Sequence, residues 1–254
     1  MTLMPVTYLS TEQAIARPGL RMVVVGNVPS PWGEAAKGIL HIKGIDWAAV
    51  RLAYDDDAQR QWAGQRSGPI AIYDNEPPRA GWAEILLLAE RLRPEPALVP
   101  TDAAERAIMF GLAHEICGQE GLGWTRRLQL IHAGAFGPRG GQYLGRKYGY
   151  SPDAGAAAGT RVAALLRILA SRLATQRLAG SPYYLGKAPT AVDVYSATCL
   201  ALFKPLPPEH CPMDEAIRSA FARPDPETDA ALDPILLAHR DMMYARHLEL
   251  PLSL

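Results

Sequence analysis

Strand-forming runs are confined to the first third of this chain, and that asymmetry limits its architecture more than any other feature. Met22-Val23-Val24-Val25, residues 47–52 and Pro69-Ile70-Ala71-Ile72-Tyr73 are short and apolar, as buried strands are. After the first run, residues 34–43 carry Ala, Ile and Leu at helical spacing and stop at Gly44, a C-cap signal. After the third, residues 83–92 (AEILLLAERL) form an amphipathic helix. The polar stretch 54–68 and the turn Asp74-Asn75-Glu76-Pro77-Pro78, with room for a short strand after it, complete a compact α/β unit. From Ala103 onward no strand-like run appears. Residues 103–133 and 156–179 place Leu, Ile, Ala and Met at helical spacing, another helix begins near Thr190, and residues 233–250 read as a last one. Glycine-rich residues 134–155, with Tyr143, Tyr148 and Tyr150, read as a loop, and the stretch after Lys204 as a proline-rich tail. The expected organisation is a lead-in over 1–20, an α/β domain over 21–93, a linker over 94–101 and an all-α domain over 102–254.

Composition narrows the function classes. The 254 residues are 48% apolar and 20% charged, a balance that supports a real core. Lys plus Arg and Asp plus Glu both number 26, and this zero formal charge argues against a polyanion-binding face, so no nucleic-acid partner is expected. No apolar stretch is long enough to cross a bilayer, and the N-terminus lacks a basic n-region and a sustained apolar run. A cytoplasmic protein without membrane contact is expected. Cys117, Cys199 and Cys211 are odd in number and widely spaced, and the six His lack HExxH spacing, so neither a disulfide framework nor a bound metal is expected. Cys117 reads as a buried small hydrophobe and Cys211, in the proline-rich tail, as an exposed thiol.

Two local features frame the chemistry. Ser30 stands between two prolines ahead of the first helix, with Glu34 inside it. A serine there is either a helix cap or a hydroxyl offered to a ligand at a positive helix end. Thr190 with Asp193 three residues on is a capping box that starts a helix.

In combination these segments resemble the glutathione transferase superfamily. YYLGKAPTAVDVYSA is similar to that family's YLxGxxxTxADxxxA segment, and SPWGEAAKGILHIKGI to the SPFxxRVxxALxxKGI first-helix motif of serine-type classes such as tau. GPIAIYDNE resembles the VPVLxDGG strand that carries the family's cis-proline, and AEILLLAERLRPEPALVP resembles AIxxYLxExYPxxxLxP. The matches fall in order over residues 21–100 and 180–202. The resemblance implies a thioredoxin-like α/β domain followed by an all-α helical domain, with glutathione as co-substrate and a homodimeric, detoxifying transferase as the expected whole.

Carried over residue by residue, the resemblance makes Ser30 the donor to the glutathione sulfur, with Trp32 beside it. Gly68 and Pro69 hold the cysteinyl part by backbone pairing, and Arg79, Gly81 and Trp82 face the γ-glutamyl end. Gly81-Trp82 stand where the family has an acidic residue followed by Ser, a departure that removes a carboxylate and a hydroxyl from that end. Glu76 or Glu84 could receive the amino group from a different position. Trp124, Tyr143 and Tyr148 are the expected wall for a small apolar electrophile, with Tyr150 beside them. Arg126, Arg127 and His132 are either surface charges or groups facing an anionic substrate at the domain junction. Two functions fit these residues: a glutathione transferase or glutathione-dependent lyase, and a non-catalytic binding or regulatory protein on the same fold.

Overall fold

The computed structural model describes residues 6–254. Its first part contains strands β1 (Thr7–Leu9), β2 (Leu20–Val24), β3 (Trp47–Arg51) and β4 (Ile70–Tyr73), joined in one sheet of order β1-β3-β2-β4. β3 runs parallel to both β1 and β2, and β4 runs antiparallel to β2, with Val23 opposite Ile70. The parallel β2–β3 pair needs a crossover, and α2 (Pro31–Lys43) supplies it. All five residues of β2 are buried, the Arg21 side chain included, which accounts for the apolar run that begins at Met22. Pro31 opens α2 and Gly44, at φ +58°, closes it.

The sequence expectation for residues 1–20 needs correction. Thr7–Leu9 supplies the edge strand β1, and α1 (Thr11–Ala16) follows, capped reciprocally by Ser10 and Gln13. This part of the stretch is built into the sheet domain. A three-residue, partly exposed edge strand carries no apolar alternation to reveal it. Residues 1–5 of that stretch lie outside the described residues.

The polar stretch 54–68 also holds a helix, α3 (Asp57–Ala63), started by the Asp56 carboxylate on the Gln59 N–H and ended at Gly64. It buries only Gln59 and Ala63, too little for a periodic signal. The short strand after the turn is a single bridge between Ala71 and Arg79. α4 (Trp82–Leu92) completes the domain.

The connection to the helical domain is pinned. Lys43 Nζ, buried, donates to the carbonyls of Arg93, Pro94 and Pro96 and pairs with Glu90 at 2.8 Å. The Ala191 N–H then donates to the Leu98 carbonyl, tying the linker to the next domain.

That domain contains α5 (Ala103–Cys117), α6 (Leu122–His132), α7 (Gly137–Tyr148), α8 (Pro152–Leu178), α9 (Ala191–Leu200), α10 (Glu215–Phe221), α11 (Pro226–Ala231) and α12 (Pro234–Arg246). All ten residues of α9 are buried. Asp193 anchors it, accepting from the N–H groups of Thr190 and Tyr184 and meeting His239 Nε2 at 2.9 Å. The Thr190 hydroxyl also donates to the same carboxylate at 2.9 Å, within the Thr190–Asp193 capping box that starts α9. α7 corrects the reading of 134–155 as a loop. Only Tyr148 is buried along it and glycines occur throughout, so its pattern gives little sign of a helix. One hydrophobic core runs through both domains, joining Met22 and Leu40 to Tyr184, Val194 and Leu236.

Candidate functional site

α2 meets the helical domain across an open cavity of about 530 Å³. The sheet domain supplies one wall: Val25 after β2, Ser30 at the head of α2, Gly68 and Pro69 before β4, and Gly81 and Trp82 at the start of α4. The helical domain supplies the other with Cys117, Trp124, Arg127, Phe136, Tyr143 and Tyr148 among its residues.

Ser30 is the N-cap residue of α2 by position, but its side chain makes no capping hydrogen bond. The Pro31 nitrogen has no hydrogen, leaving the N–H groups of Trp32 and Gly33 as the helix's orphan donors, since Glu34 N–H already donates to the Ser30 carbonyl at 2.7 Å. The cavity therefore meets a positive helix end and a hydroxyl not spent on capping. Glu34 points elsewhere. It is buried, pairs with Lys37 at 2.7 Å, and burial pushes its carboxyl pKa up.

The Gly68–Pro69 peptide bond is cis, as the resemblance implies. A side chain at position 68 would press on backbone: an added Cβ would lie 3.2 Å from Val25 N and 3.3 Å from Val23 O. Glycine is thus set by the close approach of the loop to β2.

Gly81 and Trp82 line the cavity, and Arg79 does not. The expected place of Arg79 beside the γ-glutamyl end is corrected by its partner: its guanidinium pairs with Glu76 at 2.6 Å. Hydrogen bonds from Arg91 and then Arg79 lower the Glu76 pKa, so both groups are spent on each other. The Glu84 carboxylate accepts the Gly81 N–H at 2.9 Å, so the N-cap N–H of this helix is taken by the helix's own third residue. Trp82 packs edge-on against Tyr195 and accepts the Tyr195 hydroxyl at its carbonyl, 3.1 Å away.

The aromatic wall is fixed by packing. Trp32 donates its indole N–H to the Cys117 carbonyl at 2.8 Å and stacks on Tyr148, which Trp124 meets edge-on. Gly123 makes room for this: a Cβ there would lie 3.2 Å from the Trp32 ring. Tyr143 meets Tyr54 edge-on, and burial pushes the Tyr54 hydroxyl up to about 12, leaving it a protonated donor. Lys147 Nζ donates to Ser67 Oγ at 3.1 Å, joining α7 to the loop before the cis-proline.

Of the expected site residues, Ser30, Trp32, Gly68, Pro69, Gly81, Trp82, Trp124, Tyr143 and Tyr148 share this cavity. Tyr150 lies outside it, bonded to exposed His132. Cys211 is buried, which corrects the expectation of an exposed thiol. Lys147, Tyr54 and Phe136 are lining residues that the sequence reading passed over. Of these, Lys147 stands four residues after the expected Tyr143, and that spacing would have placed it on the same helix face had α7 been recognised.

No family model matches the chain, and a search of curated proteins finds no match either. Solved structures do match. A glutathione S-transferase of Methylobacterium radiotolerans in complex with glutathione sulfonate superposes with a TM-score of 0.61 at 17% identity, over 89% of this chain and 91% of that one. A glutathione S-transferase domain-containing protein of Marinobacter aquaeolei VT8 gives 0.61 at 18% identity, over 89% and 98%. A maleyl pyruvate isomerase, a bacterial glutathione S-transferase of the Zeta class, gives 0.53 at 20% identity, over 84% and 98%. With its cis-proline, its sheet order and its helical second domain, the chain has the glutathione transferase fold.

Proposed function

We propose that this protein is a glutathione-dependent transferase or lyase in which Ser30 stabilises the glutathione thiolate. One observation carries the reading: the Ser30 hydroxyl, unspent on capping, opens at the positive end of α2 into the cavity that also holds cis Gly68–Pro69. A hydrogen bond to the sulfur favours its charged form and lowers the thiol pKa, and the helix end acts in the same direction. In this reading Gly68 offers backbone to the cysteinyl part as an added strand would, and Trp32, Gly81 and Trp82 bound the tripeptide. The thiolate then attacks carbon of an electrophile held against Trp124, Tyr143 and Tyr148, or displaces a leaving group from it. The neighbour crystallised with glutathione sulfonate supports glutathione as the co-substrate. A homodimer, a cytoplasmic setting and a detoxifying role belong to the same proposal, with exposed Leu87 and Ile108 on α4 and α5 as apolar surface available to a dimer.

Calorimetric titration with glutathione tests it. Saturable heat supports the reading; no heat at millimolar glutathione overturns it. A second reading is favoured by the lining itself, which contains no Asp or Glu to receive the γ-glutamyl amino group. Under that reading the cavity binds a small molecule without turnover, and glutathione produces no heat while apolar ligands do.

A further inference from the structure

The helical-domain wall of the cavity carries positive charge that no side chain balances. Arg126 and Arg127 are adjacent on α6 and both buried, yet their surroundings differ. The Arg126 guanidinium is held on all three nitrogens, donating to Gln129 Oε1 and to the carbonyls of Leu202, Phe221 and Arg223. Arg127 is 7% exposed, its Nε is buried without a hydrogen-bond partner, and its guanidinium lies over the rings of Phe221 and Phe136 at 4.7 and 5.6 Å. It lines the cavity, as Lys147 does. Among the described residues neither cation belongs to an ion pair, and the lining offers no carboxylate.

Burial works against both charges; the Tyr148 hydroxyl offsets it in part at Arg127, and at Lys147 the charge of Arg127 adds to it. A guanidinium stays protonated all the same. Arg127 is the desolvated cation of the two, costly without a counter-ion, and aromatic faces recover only part of that cost; Lys147 is exposed and donates to Ser67 Oγ at the cavity's edge. An anion entering the cavity would supply what is missing: charge-assisted hydrogen bonds from Arg127 and Lys147, with the protonated Tyr54 hydroxyl as a further donor. The rest of such a ligand would meet Trp32, Trp124 and Tyr148, which are apolar and aromatic.

We propose that Arg127 and Lys147 form an anion subsite, and that the molecule taken beside Ser30 is an organic acid with an apolar or aromatic body. The subsite sharpens the small apolar electrophile of the sequence reading into one that carries a carboxylate. It rests on the glutathione-dependent reading only in calling that acid a substrate. The same chemistry has a second source, the carboxylates of glutathione, and the test separates the two.

Phenylbutyrate and its neutral amide, phenylbutyramide, are titrated into the intact protein by calorimetry without glutathione. The acid is expected to bind about tenfold tighter than the amide, the scale of one charged hydrogen bond. In Arg127→Met and in Lys147→Met the acid-to-amide ratio falls towards one, and in Arg127→Lys most of it survives. Equal affinity of the wild type for acid and amide, or no binding of either, overturns the proposal. Where Arg127→Met fails to fold, the wild-type ratio and the exposed-end variant Lys147→Met carry the test. Glutathione is then titrated into wild type and Lys147→Met. If glutathione affinity drops while the acid-to-amide ratio is unchanged, the cations serve the tripeptide and the proposal falls. A wild type that discriminates acid from amide but takes up no glutathione keeps the subsite and removes the glutathione-dependent reading instead.

Discussion

Ser30 and Asp56 both stand immediately before a helix, yet only Asp56 caps one, accepting the Gln59 N–H at 2.9 Å. Proline at the first helical position is not the cause, since Ser151 caps α8 ahead of Pro152; Ser30 simply makes no capping bond, and its hydroxyl is left free beside the cavity. The same scale explains two glycines. Gly68→Ala puts a methyl 3.2–3.3 Å from the backbone of Val25 and Val23, where neighbouring atoms cannot rotate away. It is expected to destabilise the protein by about 1–3 kcal/mol, read from a lowered denaturant midpoint at unchanged slope; an unchanged midpoint would mean that the loop relaxes freely. Gly123→Leu is expected to push the Trp32 ring off its stack with Tyr148. Tryptophan fluorescence that shifts on this substitution, with the circular dichroism retained, is the expected outcome; an unaltered spectrum would contradict the packing described.

At the scale of elements, the sheet and the buried helices were legible because their cores are one-sided or total: β2, α2 and α9 announce themselves by apolar runs and stop signals. The elements that escaped the sequence are those that bury little. β1 has three residues, α3 buries Gln59 and Ala63, and α7 buries Tyr148 alone. The site divided the same way. The head of α2 and the cis-proline could be read from motifs, whereas Lys147 comes from a helix without a pattern and Tyr54 from the turn after β3, and Arg127 could be separated from Arg126 only by where their guanidinium groups end. The buried Asp193 is the strongest single anchor of an element, with partners on Tyr184, Thr190 and His239. Asp193→Ala leaves several buried donors without acceptors and is expected to cost about 3–5 kcal/mol in chemical denaturation. A loss near zero would show that the neighbourhood rearranges to satisfy them.

Across the whole molecule, the two domains share one hydrophobic core, a linker held by Lys43, and a cavity whose walls come from both. Neither domain closes the site alone. Unfolding in guanidinium is therefore expected to be a single transition, with coincident curves from tryptophan fluorescence and far-ultraviolet circular dichroism. Two separated transitions would contradict a common core. The shared cavity also makes the function a joint property. The sheet domain contributes a free hydroxyl and a positive helix end, and the helical domain contributes aromatic surface with two cations; in the proposed function the first serves the thiol and the second its partner.

The central claim is that Ser30 acts on a thiolate, and the ionisation of glutathione bound to the protein tests it most directly. Ultraviolet absorbance of the thiolate, followed against pH in wild type and Ser30→Ala, gives both values. The bound thiol is expected to ionise well below the usual thiol value of about 8.5, and Ser30→Ala to raise its pKa by about one to two units, the equivalent of one hydrogen bond to a charged group. A bound-thiol pKa identical in the two proteins would contradict the account.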